Sequence, residues 1–132
     1  MMHENQISGI VVDASIKIHK VLGPGLLESV YQRILAYELR KAGLEVEREV
    51  PIPVQWDGNV IGESFRADMV VGGKVLLELK SIEQTHAVHR KQTLTYLKIS
   101  DLRLGLLINF GAALLKDDLH RLVNQLSEMS DA

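Results

Sequence analysis

The stretch FRADMVVGGKVLLELK, residues 65–80, combines two apolar segments with charged side chains set into them. Val, Leu and Met dominate the segments and a Gly-Gly pair separates them, a pattern typical of two antiparallel strands joined by a tight turn. A charged side chain in a buried strand costs free energy unless it is paired or binds an ion. The placement of Asp68, Glu78 and Lys80 therefore decides how this hairpin is interpreted.

Two turn lengths give two registers for the hairpin. A two-residue turn puts Asp68 opposite Leu77, so the Asp68 and Glu78 carboxylates point to opposite faces of the sheet. A three-residue loop, residues 72–74, puts Asp68 opposite Glu78 and, because side chains alternate with period two, Lys80 on the same face. Such a loop commonly needs a left-handed residue, which the Gly-Gly pair supplies.

In the three-residue register the two carboxylates repel each other, and like charges directly across a sheet destabilise it. A divalent cation compensates for this, since Mg²⁺ is commonly held by one or two carboxylates together with waters and phosphate oxygens. The alternative is a solvated sheet face on which Lys80 only neutralises Glu78. Because an apolar run precedes Glu78 and a predicted helix follows, the strand should be central and buried, and both interpretations stay open.

Length and composition limit the class of protein. The chain has 132 residues, which predicts a single domain over 1–132, and 46% hydrophobic with 24% charged residues is the composition of an ordinary globular protein. No Cys is present, which excludes thiolate chemistry and fits a reducing cytoplasm. No segment approaches the roughly 20 apolar residues of a membrane helix, so we expect a cytoplasmic protein with no membrane contact. The net charge of −2 argues against sequence-independent coating of nucleic acid.

Hydrophobic periodicity predicts the order helix, helix, three antiparallel strands, helix, strand. Pro24 suits the first turn of the second helix. This order predicts an α/β domain whose mixed central sheet, a three-strand antiparallel meander plus a further strand, is flanked by helices. The predicted bounds are about 7–22 and 26–42 for the first two helices, 44–80 for the meander, 83–99 for the third helix and 103–111 for the buried strand.

Asp68 followed by Glu78-x-Lys80 on the next strand resembles the motif of the PD-(D/E)xK nuclease superfamily, which has the restriction-endonuclease-like fold. This triplet alone is a weak signal. LGPGLLESVY contains Gly25-x-x-Glu28-x-x-Tyr31, which is similar to the signature of the GxxExxY protein family, a branch of that superfamily. The segments FRAD, LLELK, QTLTYL and GLLINFG also resemble blocks of that family in the same order, and the resemblance covers nearly the whole chain.

The last segment, residues 114–126, is ambiguous. Its leucines fall at helical intervals, so periodicity alone predicts a helix. In the family this stretch resembles an extended edge segment, with a turn Gly expected where Asp118 stands. Both interpretations stay open.

The resemblance implies a nuclease that uses Mg²⁺ or Mn²⁺. Asp68 and Glu78 are natural ligands for such a hard cation, with the Leu79 carbonyl as a possible third. Lys80 would orient or deprotonate the attacking water, or stabilise the pentavalent phosphate. Glu28 is implied to reach the metal site from its helix, one turn in, and Gly25 to allow close approach; the alternative for Glu28 is a favourable interaction with the helix N-terminus.

Further side chains are implied to support the site. Gln92 and Tyr96 are four residues apart on one helix face and resemble a QxxxY element, which makes Gln92 a substrate-positioning group and Tyr96 its support. The alternative is an amphipathic helix on which Tyr96 packs against the sheet. Tyr31 lies on the face of Glu28. The most basic stretch, where we expect the phosphate backbone to lie, contains His86, His89, Arg90, Lys91, Lys98 and Arg103.

Two functions from different classes follow. The first is a Mg²⁺-dependent nuclease acting on DNA in preference to RNA, in repair, recombination or defence. The second is a non-catalytic module that keeps the fold and binds nucleic acid or protein. An intact set of Asp68, Glu78, Lys80 and Glu28 favours catalysis, whereas the small size and acidic pI favour the module, or a homodimer or protein partner that enlarges the contact surface.

Overall fold

Five strands form one mixed sheet in the order β1-β2-β3-β4-β5, and the computed structural model describes residues 2–127. Strands β1 to β3 are antiparallel, β4 is parallel to β3, and β5 is antiparallel to β4. The predicted meander with a further strand, flanked by helices, is confirmed. The elements are α1 (Glu4–Leu22), α2 (Glu28–Lys41), β1 (Val46–Trp56), β2 (Asn59–Val71), β3 (Val75–Lys80), α3 (Ala87–Ser100), β4 (Leu104–Asn109), a 3-10 turn (Leu115–Asp118) and β5 (Leu119–Val123).

The β2–β3 hairpin adopts the three-residue register. Val71 pairs with Val75, which leaves residues 72–74 as the loop. Both loop glycines are left-handed, with φ of 62° and 67°, as this loop requires. The paired ladder continues to Met69 opposite Leu77 and ends there. The two-residue turn is therefore wrong, and with it the arrangement that places the carboxylates on opposite faces.

Helices cover both faces of the sheet. Leu77 of the central strand β3 packs among buried side chains of α1 and α2, whereas its neighbour Leu76 packs with Leu97 of α3. Because side chains alternate along a strand, Glu78 and Lys80 point to the α3 side. Glu78 and Lys80 thus lie on a buried strand beneath helix α3. No helix in the part of the chain that the structure describes is long and apolar enough to cross a membrane.

Helix α2 begins later than predicted, and Pro24 lies outside it. Leu27, in an extended conformation, is its N-cap. The hydroxyl of Tyr31 donates a hydrogen bond of 2.5 Å to the Gly23 carbonyl, which holds the preceding loop in a non-helical path. Glu28 is therefore the first residue of the helix and does not lie one turn into it.

Helix α3 also begins later than its predicted start near Glu83. The backbone N–H of Thr85 donates a hydrogen bond of 2.8 Å to Asp118, so the segment before the helix is fixed by a contact distant in sequence. His86 is the N-cap, and its backbone N–H donates to Nδ1 of His89 at 2.9 Å. Both histidines consequently lie at the start of α3.

Residues 114–126 contain the 3-10 turn and the edge strand β5, so the helix prediction is wrong and the extended alternative is confirmed. Leu119 packs with the core under α1 and α2, whereas Leu122 packs with the cluster under α3. Residues three apart point to opposite faces of a strand but to one face of a helix. The spacing of three between Leu119 and Leu122, which also fits a helix, therefore suits a strand that packs against the core on each face of the sheet.

Candidate active site

Asp68 of β2 and Glu78 of β3 lie level with each other, just beyond the paired part of the hairpin. Asp68 Oδ2 accepts a hydrogen bond of 2.7 Å from the backbone N–H of Leu79, which draws the carboxylate toward β3. Burial raises the pKa of both carboxylates, and the positive charge of Lys80 opposes that rise in each. The structure thus brings the three predicted charges together.

Glu78 is the most buried member of this group, with 8% of its surface exposed. Its Oε1 atom has no hydrogen-bond partner in the described part of the chain. Burial, and next the charge of Asp68, raise the pKa of Glu78 to about 8, although Lys80 opposes this shift. A buried carboxylate oxygen without a partner is costly, and a bound cation would remove that cost.

Glu28 approaches the same group from the start of α2. Burial, and next the charge of Asp68, raise the pKa of Glu28, whereas Lys80 lowers it. Burial also raises the pKa of Asp68, against the hydrogen bond from Leu79. No three His, Cys, Asp or Glu side chains within the described residues are arranged to hold an ion together. The carboxylates therefore form an open group and not a closed cage.

The loop between α1 and α2 is tied to the end of β3. Ser81 Oγ, directly after Lys80, donates a hydrogen bond of 2.6 Å to the Leu26 carbonyl. The buried hydroxyl of Tyr31 accepts a hydrogen bond of 3.3 Å from the Leu26 N–H. Gly25 has φ of 119° with open space around it, so its backbone conformation, and not close approach, explains the glycine. Tyr31 thus shapes this loop, and its supporting role at the site stays a prediction.

Gln92 and Tyr96 of α3 differ in their surroundings. Gln92 is exposed. Tyr96 stacks on Phe65 of β2 with ring centroids 3.8 Å apart, as the packing alternative predicts. Burial, and next the charges of Glu78 and Asp68, raise the pKa of Tyr96, so its hydroxyl is near the carboxylates. The substrate-positioning role of Gln92 stays a prediction.

The predicted nucleic-acid contacts are spread along α3. Lys91 and Lys98 are exposed and seven residues apart, so they share a helix face. Arg90 is half-buried at the start of the helix. His89 lies near Lys80, since burial, and next the charge of Lys80, lower its pKa. Lys98 lies about 12 Å further along the helix than Arg90.

A family model of the PD-(D/E)XK nuclease superfamily matches residues 5–122. The chain belongs to the PD-(D/E)XK nuclease superfamily. Its sheet and helices are accordingly the restriction-endonuclease-like fold that the resemblance implies. Membership of the GxxExxY branch stays a prediction. No curated protein and no solved structure matches the chain significantly.

Glu49, an acidic residue near the PD-(D/E)XK motif, is not among the site residues that the sequence predicts. Glu49 of β1 lies level with Asp68, and its charge contributes to raising the pKa of Asp68 and of Glu28. Gln32 of α2 donates a hydrogen bond of 2.9 Å to Glu49 Oε1. The flanking β1–β2 pairs are Arg48 with Met69 and Val50 with Ala67.

Asp118 and Asn109, which the sequence does not predict to act together, fix the segment that follows Lys80. Asp118 accepts hydrogen bonds from the Thr85 N–H at 2.8 Å and the Thr85 hydroxyl, from Asn109 Nδ2 at 2.9 Å and from His120 Nε2 at 2.8 Å. Asn109 in turn bonds both backbone polar groups of Ile82. Burial alone would raise the pKa of Asp118, but these hydrogen bonds outweigh it and hold that pKa well below its usual range. Asp118, at the position where a turn Gly was expected, therefore holds Thr85, Asn109 and His120 together by hydrogen bonds.

Asp118→Ala is expected to lower the free energy of unfolding by about 2 kcal/mol, because buried donors of Thr85 and Asn109 lose their acceptor. Urea unfolding at pH 7 measures this. Since the pKa of Asp118 is depressed, the advantage of wild type should be present above its ordinary value of 3.8 and shrink as the pH falls below it. Asp117→Ala, an exposed neighbour, is the control, and equal stability of the two variants would contradict the anchoring role.

Proposed function

We propose that the protein is a metal-dependent nuclease that hydrolyses phosphodiester bonds in DNA, with Mg²⁺ or Mn²⁺ as its cofactor. The observation that carries the proposal is the buried, unpartnered Glu78 Oε1 beside Asp68 and Lys80 in a PD-(D/E)XK chain. A module without chemistry has no reason to keep a carboxylate oxygen buried without a hydrogen-bond partner. Repair, recombination or defence against foreign DNA would use such an activity.

The residues present fit a hard divalent cation. Asp68 and Glu78 offer carboxylate oxygens, and the Leu79 carbonyl is the neighbouring backbone acceptor. An open group of this kind suits Mg²⁺, which keeps waters and binds substrate oxygens. A bound cation polarises the phosphoryl oxygen and lowers the pKa of a water ligand.

The chain's own residues supply the remaining functions. Lys80, next to both carboxylates, stabilises negative charge that develops on the phosphate or orients the attacking water. Glu28 holds a water or a cation from the α2 side. His89 and Arg90 at the start of α3 lie where a phosphate backbone can approach, and Lys91 extends that surface.

The test is cleavage of labelled single-stranded, duplex and branched DNA, and of RNA, in Mn²⁺ and in Mg²⁺. We expect metal-dependent products from at least one DNA form and none from Asp68→Asn. The melting midpoint of wild type should rise on adding Mn²⁺, because a ligand that binds only the native state stabilises it, and Asp68→Asn should lose that rise. Products that form equally in EDTA, or from Asp68→Asn, would refute the proposal.

A second candidate, a non-catalytic binding module, has one observation in its favour. The tip of the β1–β2 hairpin exposes large apolar side chains, with 71% of Trp56, 64% of Val60 and 66% of Ile61 accessible. A cluster of this kind is typical of a surface that contacts another protein or a second copy of the chain. This function is favoured if wild type is inert on every nucleic acid and forms a dimer through the tip, which Trp56→Ser would disrupt in sedimentation experiments.

A further inference from the structure

Glu49 extends the row of acidic residues across the sheet. It lies level with Asp68, which lies level with Glu78, so the three occupy the neighbouring strands β1, β2 and β3. Neighbouring strands are about 4.8 Å apart, and after burial the charge of Glu49 contributes to raising the pKa of Asp68. The buried Glu78 Oε1, without a partner among the described residues, is an independent sign that a positively charged ligand belongs here.

Gln32 holds the Glu49 carboxylate in place. Only 3% of Gln32 is exposed; its Nε2 donates to Glu49 Oε1 at 2.9 Å, and its Oε1 accepts from Arg48 Nε at 3.0 Å. Gln32 follows Glu28 by four residues, so both lie on one face of α2. That face contacts the site at two points, since Glu28 acts on Asp68 and Gln32 binds Glu49.

The backbone at Glu49 is unusual. Its φ of 53° is left-handed, which a residue with a long side chain rarely adopts. Val46 packs under α1 and α2, whereas Val50 and Ile52 pack under α3, so β1 changes the face it presents at this position. Gly would meet that backbone requirement better than Glu. The change of face therefore explains the conformation but not the carboxylate.

We propose that Glu49 is a positioning residue of the metal centre, whose carboxylate holds the water ligands of a divalent cation on the Asp68 side. The inference rests on the proposed function. Mg²⁺ and Mn²⁺ sites of one or two protein carboxylates keep several waters, which need acceptors. Glu49 supplies such an acceptor, fixed by Gln32, within an open group in which no three His, Cys, Asp or Glu side chains among the described residues hold an ion together.

The experiment is calorimetric titration of the full chain with MnCl₂ in the absence of nucleic acid. Glu49→Gln and Glu49→Gly are each expected to weaken Mn²⁺ binding by about tenfold or more, as loss of an outer-sphere partner does. Glu49→Asp keeps a carboxylate and should recover most of that affinity. Glu47→Gln, an exposed position on the same strand, is the matched control and should bind as wild type does.

Glu49→Gly separates the proposed role from a structural one, since Gly adopts the left-handed conformation without strain and carries no carboxylate. If this variant folds and binds Mn²⁺ with unchanged affinity, Glu49 serves only the backbone and the inference is wrong. If Asp68→Asn loses Mn²⁺ while Glu49→Gln and Glu49→Gly keep it, the metal centre stands without Glu49 and the inference is wrong. If wild type takes up no Mn²⁺, the inference and the metal centre of the proposed function both fail.

Discussion

Lys80→Ala is expected to lower metal-dependent cleavage by at least about a hundredfold while leaving Mn²⁺ binding intact. Burial raises the pKa of Asp68 and of Glu78 and the charge of Lys80 opposes that rise, so its ammonium acts beside both carboxylates. Removing it takes away stabilisation of the transition state. The carboxylates that hold the cation remain, and losing a neighbouring positive charge does not weaken their attraction for it.

Two measurements on the same preparation separate these effects. Initial rates on the best DNA substrate report the chemistry, and the rise of the melting midpoint in Mn²⁺ reports cation binding. Lys74→Ala makes the same charge change at the other end of β3, about 20 Å away by strand length, and should cleave as wild type does. Loss of both cleavage and the Mn²⁺ effect in Lys80→Ala would mean that the lysine organises the metal centre and has no separate part in the chemistry.

The part of the site within the quoted stretch could be predicted because it depends on local rules. The Gly-Gly pair leaves two loop lengths, of which the structure has the three-residue one; that loop determines the register, and the period of two puts Glu78 and Lys80 on one face. The apolar run before Glu78 correctly predicts a buried strand, and the structure makes β3 the centre of the sheet.

Glu49 could not be found in the same way. Counting back from the Asp57-Gly58 turn, where Trp56 pairs with Asn59, would place Glu49 opposite Arg66. Two register shifts, between Ile52 and Pro53 and between Val54 and Gln55, move it level with Asp68 instead. Bulges insert residues on one strand without a signal in the hydrophobic pattern.

Contacts between distant parts of the chain explain the other differences. Helix α3 begins late because Asp118 binds Thr85, and α2 begins late because Tyr31 binds the loop before it. Propensity and periodicity describe neighbours along the chain and carry no information about such pairs. Periodicity could not decide between helix and strand for residues 114–126 for the same reason, since only the tertiary fold offers cores on both sides of β5.

Glu78→Gln is expected to stabilise the metal-free protein at alkaline pH, by about 2 kcal/mol at pH 9. Burial, and next the Asp68 charge, raise the pKa of Glu78 from 4.5 to about 8 in the folded chain. Below pH 4.5 the side chain is neutral in both states, and its contribution to stability is fully present. As the pH rises from 4.5 to 8 the unfolded chain loses the proton first, so the folded state loses stability until Glu78 itself ionises.

Thermal melting in EDTA from pH 5 to pH 9 measures this difference, with Glu47→Gln as the control on an exposed strand position. The gain in Glu78→Gln should be smallest at pH 5 and largest above pH 8. The melting midpoint of Glu78→Gln should still fall somewhat with rising pH, because the pKa values of Asp68 and Glu28 are raised as well. Parallel pH profiles for wild type and Glu78→Gln would show that the Glu78 carboxylate is solvated. Mn²⁺ at pH 9 should in turn stabilise wild type much more than Glu78→Gln, because the ionised carboxylate that destabilises the free protein is the one that attracts the cation.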